Sequence, residues 1–218
     1  MSVGSTTSSQ PTTTALPPPS FPSPSRQKEL GEMWERAVQC IRVPLQDCGG
    51  GEEVEDVFIQ GLEYIQGRRE AMKEWPEILR EGVWYMITAW NSMGATQPAH
   101  INQAANELLH SRLSEVFPSK ASPRILEAYG TDDTEAWRED GFAVHVSTST
   151  IQDQSHASEE EVILGLGREF GQVALYRLEW VSDAGGEGKE VRGRMIQRVV
   201  ACYEEMRGVE SDIEVGRR

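Results

Sequence analysis

The most apolar stretch of the chain is the run GVWYMITAWN at residues 82–91, which carries no charged side chain. Six of the eight residues from 83 to 90 are large apolar or aromatic, so neither face of the run can meet water without exposing several rings. β-branched and aromatic side chains pack well on a pleated sheet and lose rotamer freedom in a helix. The pattern therefore predicts a central strand, buried on both faces, that ends in the turn NSMG at residues 91–94.

Apolar residues that recur every three or four positions predict helices in five further segments. They are residues 27–40, 54–65, 68–80, 98–116 and 195–206. A sixth helix is predicted to begin at the capping box SEEE of residues 158–161 and to end at Gly171. Pro76 is expected to kink or break the helix at 68–80. Residues 41–45 and 57–59 leave an alternative open, because they also alternate as short strands do.

Further strands are predicted at residues 124–129, 141–147 and 172–181. With the central strand they indicate a single α+β domain at residues 27–207, in which a mixed or antiparallel sheet of four or five strands is packed by helices. Residues 1–25 are rich in Pro, Ser and Thr and lack charged side chains, which predicts a disordered tail. Residues 208–218 are predicted to form a second, flexible tail.

The charge and cysteine content restrict the classes of partner and compartment. A net charge of −14 and a pI near 4.8 argue against nucleic acids and anionic membranes as partners. The sequence contains no apolar window of about 18 residues, so it predicts no membrane span. No segment resembles a secretory signal. Three cysteines without a CxxC pair predict free thiols in a reducing compartment. We therefore expect a cytoplasmic protein, with the nucleus as the alternative.

No familiar catalytic or metal-binding motif is present. The four histidines are far apart in the sequence, and His145 on a predicted strand face is more typical of a packing residue than of a base. The glycines at 165, 167 and 171 fall within and at the end of a predicted helix, where they cannot cradle a dinucleotide phosphate. The sequence therefore predicts no metal and no cofactor, and leaves open whether the protein is an enzyme.

Several segments, taken in order, resemble the domain-of-unknown-function family DUF3293. They are ITAWN at 87–91, Asn102 and Asn106, WRE at 137–139, and GREFGQ at 167–172 followed by Ala174. The resemblance covers residues 83–176, under half of the chain. The chain departs from the family pattern at Ser92, where Pro is usual, at Val173, where Asn is favoured, and after Glu139, where Asp-Gly replaces a nearby Ser. The family name implies no reaction, ligand or partner.

The polar residues of these segments are the candidate site. They are Asn91, Asn102, Asn106, Trp137, Glu139, Arg168 and Gln172. All lie near strand exits or helix termini, where open sheets place ligands, so we expect a shared polar pocket. In that pocket Arg168 would bind a carboxylate or phosphate, the amides would orient the ligand and Trp137 would cover an apolar part.

Each of these residues also has a structural interpretation. The amides can satisfy backbone groups of turns, and Arg168 and Glu139 can form an ion pair. The function predicted from the sequence is a soluble small-molecule-binding domain, and an enzyme that uses the same residues without a metal is one form of it. The alternative is a non-catalytic protein-protein interaction module, whose acidic surface and Pro-rich tail would contact a protein.

Overall fold

A computed structural model of the chain describes residues 21–45, 53–65, 74–118, 124–132, 134, 136–146, 158–182 and 193–217. These residues form a closed barrel of eight strands, in which every pair of neighbouring strands is antiparallel. The strands are β1 (Val38–Pro44), β2 (Val54–Gly61), β3 (Val83–Ile87), β4 (Ile125–Thr131), β5 (Arg138–Val146), β6 (Ala174–Ser182), β7 (Gly193–Ala201) and β8 (Ser211–Arg217). Around the barrel their order is β1-β2-β8-β7-β6-β3-β5-β4, and β4 closes onto β1.

The predicted fold class, an α+β domain with a sheet of four or five strands packed by helices, is wrong. Three of the strands lie in segments that were predicted as helices or as a flexible tail. Residues 54–65 were predicted as a helix, with a short strand at 57–59 as the alternative, and they contribute β2. Residues 195–206 were predicted as a helix but contribute most of β7. The segment 208–218, predicted as a flexible tail, contains β8, which pairs with both β2 and β7. A sheet of four strands can stay open, whereas these additional strands allow its edges to meet and close into a barrel.

The prediction for the central strand is confirmed, because every residue of β3 is buried. Trp84 and Met86 point into the barrel and belong to its interior cluster. Tyr85 and its outward-facing neighbours pack instead against two helices that cover the outside of the sheet, α3 (Ala99–Val116) and α4 (Glu159–Glu169). All five residues of β3 are apolar or aromatic, as expected for a strand with both faces covered.

The described part of the chain has four α-helices around the barrel. α3 and α4 lie close to their predicted positions, and the Ser158 hydroxyl caps α4 by accepting from the Glu161 amide at 3.2 Å. α1 (Pro24–Arg36) is shorter than the predicted helix at 27–40, because the chain enters β1 at Val38. α2 (Glu77–Arg80) is the described remnant of the predicted helix at 68–80, part of which lies outside the described residues. The predicted N-terminal tail also lies outside them as far as residue 20. No helix in the described part of the chain is long and apolar enough to cross a membrane.

The two ends of the barrel are built differently. At the closed end, where β3 begins, α2 and its flanking residues insert Trp75 and Leu79 into the interior cluster beside Trp84 and Trp180. The Trp84 indole donates to the carbonyl of Ile78 at 3.1 Å, which ties the ring to α2. At the open end, where β3 stops and β1, β5 and β6 begin, a cavity remains between the strands and α1. The candidate site lies at this open end.

Candidate functional site

The cavity at the open end has a volume of about 290 Å³ and is mostly apolar. Five aromatic residues line it, namely Trp34, Tyr129, Trp137, Phe142 and Tyr176. Five polar residues also line it, namely Gln39, Thr88, Asn91, Glu139 and Gln172. A largely apolar cavity with a few convergent polar groups is the usual form of a small-molecule site.

The space exists because small residues occupy interior positions at this end. Ala128, Gly130, Gly141 and Ala174 all line the cavity. A Cβ atom on Gly141 would lie 2.5 Å from the Ile87 carbonyl oxygen, so only glycine allows β5 to approach β3 this closely. A Cβ atom on Gly130 would lie 3.3 Å from the Gln39 side-chain oxygen. Larger side chains at these positions would fill the end of the barrel, as they do at the closed end.

Glu139 and Asn91 form the polar centre of the cavity. The Asn91 side-chain amide donates to Glu139 Oε1 at 2.6 Å. Its carbonyl oxygen accepts two hydrogen bonds, from the Gln97 backbone amide at 3.0 Å and from Asn102 Nδ2 at 3.2 Å. Because that oxygen already accepts both donors, the Asn91 NH₂ group is directed towards Glu139. The carboxylate is thereby held in one orientation at the cavity wall.

The loop after β3 is fixed by amide side chains from two other elements. Asn102 and Asn106 on α3 accept from the backbone amides of Asn91 at 3.0 Å and Ala89 at 3.2 Å. From the other side, Gln172 donates to the Trp90 carbonyl at 3.0 Å. The backbone of Asn91 has φ 49°, which is a left-handed conformation that costs free energy for a residue with a Cβ. These hydrogen bonds stabilise that conformation and so position the Asn91 side chain.

Glu139 carries the only charge among the described residues that line the cavity. Within the described ranges, no Lys, Arg or His side chain lies at ion-pair distance from it. Its influence extends to Tyr176, where burial and, to a smaller degree, the charge of Glu139 raise the pKa of the phenol. Tyr176 therefore stays protonated and donates to the carbonyl of Trp34 at 3.1 Å. The cavity thus combines an unpaired carboxylate with apolar and neutral polar walls.

The structure brings together six of the seven residues predicted from the sequence. Asn91, Trp137, Glu139 and Gln172 line the cavity, and Asn102 and Asn106 hold the loop that carries Asn91. Three of these six residues fit the structural interpretation, because the side-chain amides of residues 102, 106 and 172 form hydrogen bonds with backbone groups.

Arg168 lies apart from the others. Its Nη1 donates to the Cys202 carbonyl at 2.9 Å, and its Nη2 lies 3.9 Å from Glu161. It neither lines the cavity nor forms the ion pair with Glu139 that the structural interpretation considered. An anion-binding role in this cavity therefore has no cation to support it among the described lining residues.

Trp34, Gln39 and Tyr176 are among the lining residues that were not predicted from the sequence. Gln39 falls in a segment predicted as the end of a helix, whereas in β1 it faces inward opposite Gly130 and Ile59. Trp34 lies in the helix predicted at residues 27–40, where the helical pattern does not indicate which element the side chain contacts. The alternation of β6 places Tyr176 inside the barrel, but only closure of the barrel makes that interior a cavity.

A second depression lies outside the barrel, between α3 and the outer faces of β4 and β5. It has a volume of about 580 Å³, and Asn106, Glu107, His110 and Phe142 are among its lining residues. His110 stacks on Phe142 with ring centroids 5.0 Å apart. The other acids at this groove, Glu127 and Asp140, are exposed and paired with arginines. Across the described ranges, no cluster of His, Cys, Asp or Glu has the composition of a metal site.

Comparison with known proteins identifies one family. The sequence profile of the family described as "Protein of unknown function (DUF3293)" matches residues 87–175, from the end of β3 to the start of β6. This match confirms the resemblance to DUF3293, and the matched segment contains all seven residues of the candidate site. No similar curated protein and no similar solved structure was found.

Proposed function

We propose that the protein binds a small molecule in the cavity at the open end of its barrel. The observation that carries this proposal is the Glu139 carboxylate, which Asn91 orients towards a mostly apolar cavity where the described lining residues include no neutralising side chain. Placing an unpaired charge at an apolar wall is unfavourable for folding. Such an arrangement is therefore typical of a binding site, where a ligand supplies the missing partner.

The arrangement of the walls indicates how a ligand would lie. Trp34 and Trp137 would contact its apolar part, since aromatic side chains supply large contact areas with few rotatable bonds. Gln39 would provide an adaptable amide, because its side chain has no hydrogen-bond partner among the residues that the structure describes. Asn91 and Glu139 would fix the orientation of the ligand's polar group.

An alternative function is a non-catalytic protein-protein interaction module. One observation favours it: Ile101 and Leu108, which lie two turns apart on α3, are 47% and 58% exposed. Exposed apolar residues that share one helix face are typical of contact surfaces. In this alternative the cavity would be an unoccupied packing defect, and α3 would be the functional element.

Native mass spectrometry of freshly purified protein tests the two functions against each other. We expect the wild-type protein to retain a small molecule at stoichiometric amounts, and the variant Ala128→Leu, which fills the cavity, to lose it. The matched control Leu108→Ala alters the exposed face of α3 and should retain the same ligand. A clean apo mass, together with a co-purifying protein that Leu108→Ala releases, would support the alternative instead. Thermal melting of each variant shows that it is folded.

A further inference from the structure

We infer that the ligand of this cavity is a small organic cation, namely an ammonium group attached to an apolar or aromatic body. This inference rests on the proposed function and specifies its ligand class. It follows from three properties of the cavity: its single charge, its aromatic walls and the acceptor atoms that remain unused at its polar centre.

The charge of the cavity selects the sign of the ligand's charge. Glu139 is the one charged residue among the described residues that line the cavity. An anionic ligand would meet this carboxylate without a lysine or arginine to offset the repulsion, and a neutral ligand would leave it unpaired. A cation would instead gain a charge-assisted hydrogen bond in a partly desolvated site.

The geometry at Glu139 leaves room for that hydrogen bond. A carboxylate can accept about four hydrogen bonds. Among the described residues, the Asn91 amide is the one donor recorded for Glu139, at 2.6 Å to Oε1. The Asn91 amide cannot rotate to offer its oxygen, because that oxygen is engaged by Gln97 and Asn102. An ammonium group carries three donors, which suits the acceptor positions of Glu139 that the described residues leave free. Gln39 lies on the same wall, two strands away, because it and Glu139 both pair with Gly130.

The aromatic walls favour the same ligand class. Trp34, Trp137 and Tyr176 all line the cavity, and Trp34 and Tyr176 lie with ring centroids 6.1 Å apart. The faces of such rings attract organic cations, and tryptophan does so most strongly. The net charge of −14 adds a long-range attraction for cations approaching the molecule.

Three probes of similar size test the inference: phenethylammonium, 2-phenylethanol and phenylacetate. They share one ring and differ in the charge of the polar group. Their affinities for the full-length wild-type protein are measured by titration calorimetry at pH 7, where the amine is charged. We expect phenethylammonium to bind about tenfold more tightly than the alcohol, as for hydrogen bonds to charged groups, and phenylacetate to bind more weakly than either.

The variant Glu139→Gln keeps the size of the side chain and removes its charge. We expect this change to abolish the preference for the ammonium over the alcohol. The control Glu214→Gln removes the same charge from an exposed position on β8 that does not line the cavity. It should keep the full preference, which separates the local carboxylate from the overall charge of the protein.

The inference is overturned if the alcohol binds wild-type protein as tightly as the ammonium, or if no probe binds. It is also overturned if Glu139→Gln, shown to be folded by its melting curve, keeps the preference. Failure of this inference can be distinguished from failure of the proposed function. Alcohol binding that Ala128→Leu abolishes would retain a small-molecule site while removing its preference for cations, whereas loss of the proposed function would show as an empty wild-type protein in native mass spectrometry.

Discussion

The two ends of the barrel contain the same strands but opposite choices of interior side chain. At the closed end Trp75, Leu79 and Trp84 are at least 92% buried and join one apolar cluster. At the open end glycine, alanine and neutral polar residues lie between aromatic walls, and Glu139 is the one carboxylate among the described lining residues. An eight-stranded barrel is just wide enough to be filled by its side chains or to hold one small ligand. Side-chain size therefore decides which end is core and which is cavity.

The polar groups at the two ends also differ in how they are satisfied. The imidazole of His145, beside Trp84 at the closed end, has a buried Nε2 without a hydrogen-bond partner in the described part of the chain. At the open end Asn91 is hydrogen bonded on both sides of its amide, while Glu139 accepts from Asn91 alone among the described residues. At the closed end the neutral imidazole is packed beside an apolar ring, whereas at the open end the Glu139 carboxylate lines the cavity and is accessible from it.

The largest expected difference between the ends is in the contribution of tryptophan to stability. Trp84→Ala should lower the free energy of unfolding by about 3–5 kcal/mol, because it creates a void in a filled interior and removes the bond to Ile78. Trp137→Ala at the open end should cost less than about 1 kcal/mol, since that side chain is 42% exposed. Urea denaturation monitored by circular dichroism measures both values. Equal losses would contradict the distinction between a core end and a cavity end.

A smaller difference is expected for adding one methyl group at each end. In Gly193→Ala the new Cβ would lie 2.6 Å from the Trp180 ring, and we expect a loss of about 1–3 kcal/mol from overpacking. In Gly130→Ala the nearest atom is the Gln39 side-chain oxygen at 3.3 Å, and that side chain can move into the cavity. Thermal melting should show a clear decrease for the first variant and little change for the second. A larger loss for Gly130→Ala would show that the open end is already filled.

The smallest expected effect is a dependence of stability on pH that comes from His145 at the closed end. Burial, with a smaller contribution from Arg124, lowers the pKa of His145 below its ordinary value of 6.5. As the pH falls below 6.5, the unfolded chain therefore binds a proton that the folded protein binds less readily, and stability decreases until the folded-state pKa is reached. The slope is at most about 1.4 kcal/mol per pH unit.

The variant His145→Gln isolates this contribution. Denaturation midpoints of wild type and variant between pH 7 and pH 5 should converge or cross as the pH decreases, because the variant lacks the imidazole that resists protonation. The exposed His100 and His110 are common to both proteins and cancel in the comparison. Parallel pH profiles would show that His145 has no altered affinity for protons in the folded state.

The parts of the fold that could be predicted have a local cause. β3 has apolar residues on both faces, and α4 has a capping serine with acids in its first turn. β7 could not be predicted, because its residues do not alternate with apolar side chains inward and polar side chains outward. The fully buried Gln197 faces the interior, while Ile196 and Val200 face outward. Met195, Val199 and Met206 also recur at helical spacing, so the pattern favoured the wrong element.

The candidate site was predictable only in part, for a related reason. Asn91, Asn102 and Glu139 belong to segments that resemble DUF3293, so their positions in the sequence could be recognised without a structure. Which of the seven residues face the cavity depends on strand register, since a shift of one residue moves a side chain to the other face. Arg168 is near Gln172 in sequence, yet it points to Cys202 on another element.

The buried β3 strand, the two covering helices and the segment shared with DUF3293 could be predicted from local pattern, because each depends on residues within one stretch of chain. Closure of the sheet could not, because β1 must pair with β4 and β2 with β8 across long separations in sequence. The cavity is a consequence of that closure. Its walls come from α1 and five strands, and no local pattern specifies how far apart those elements will lie.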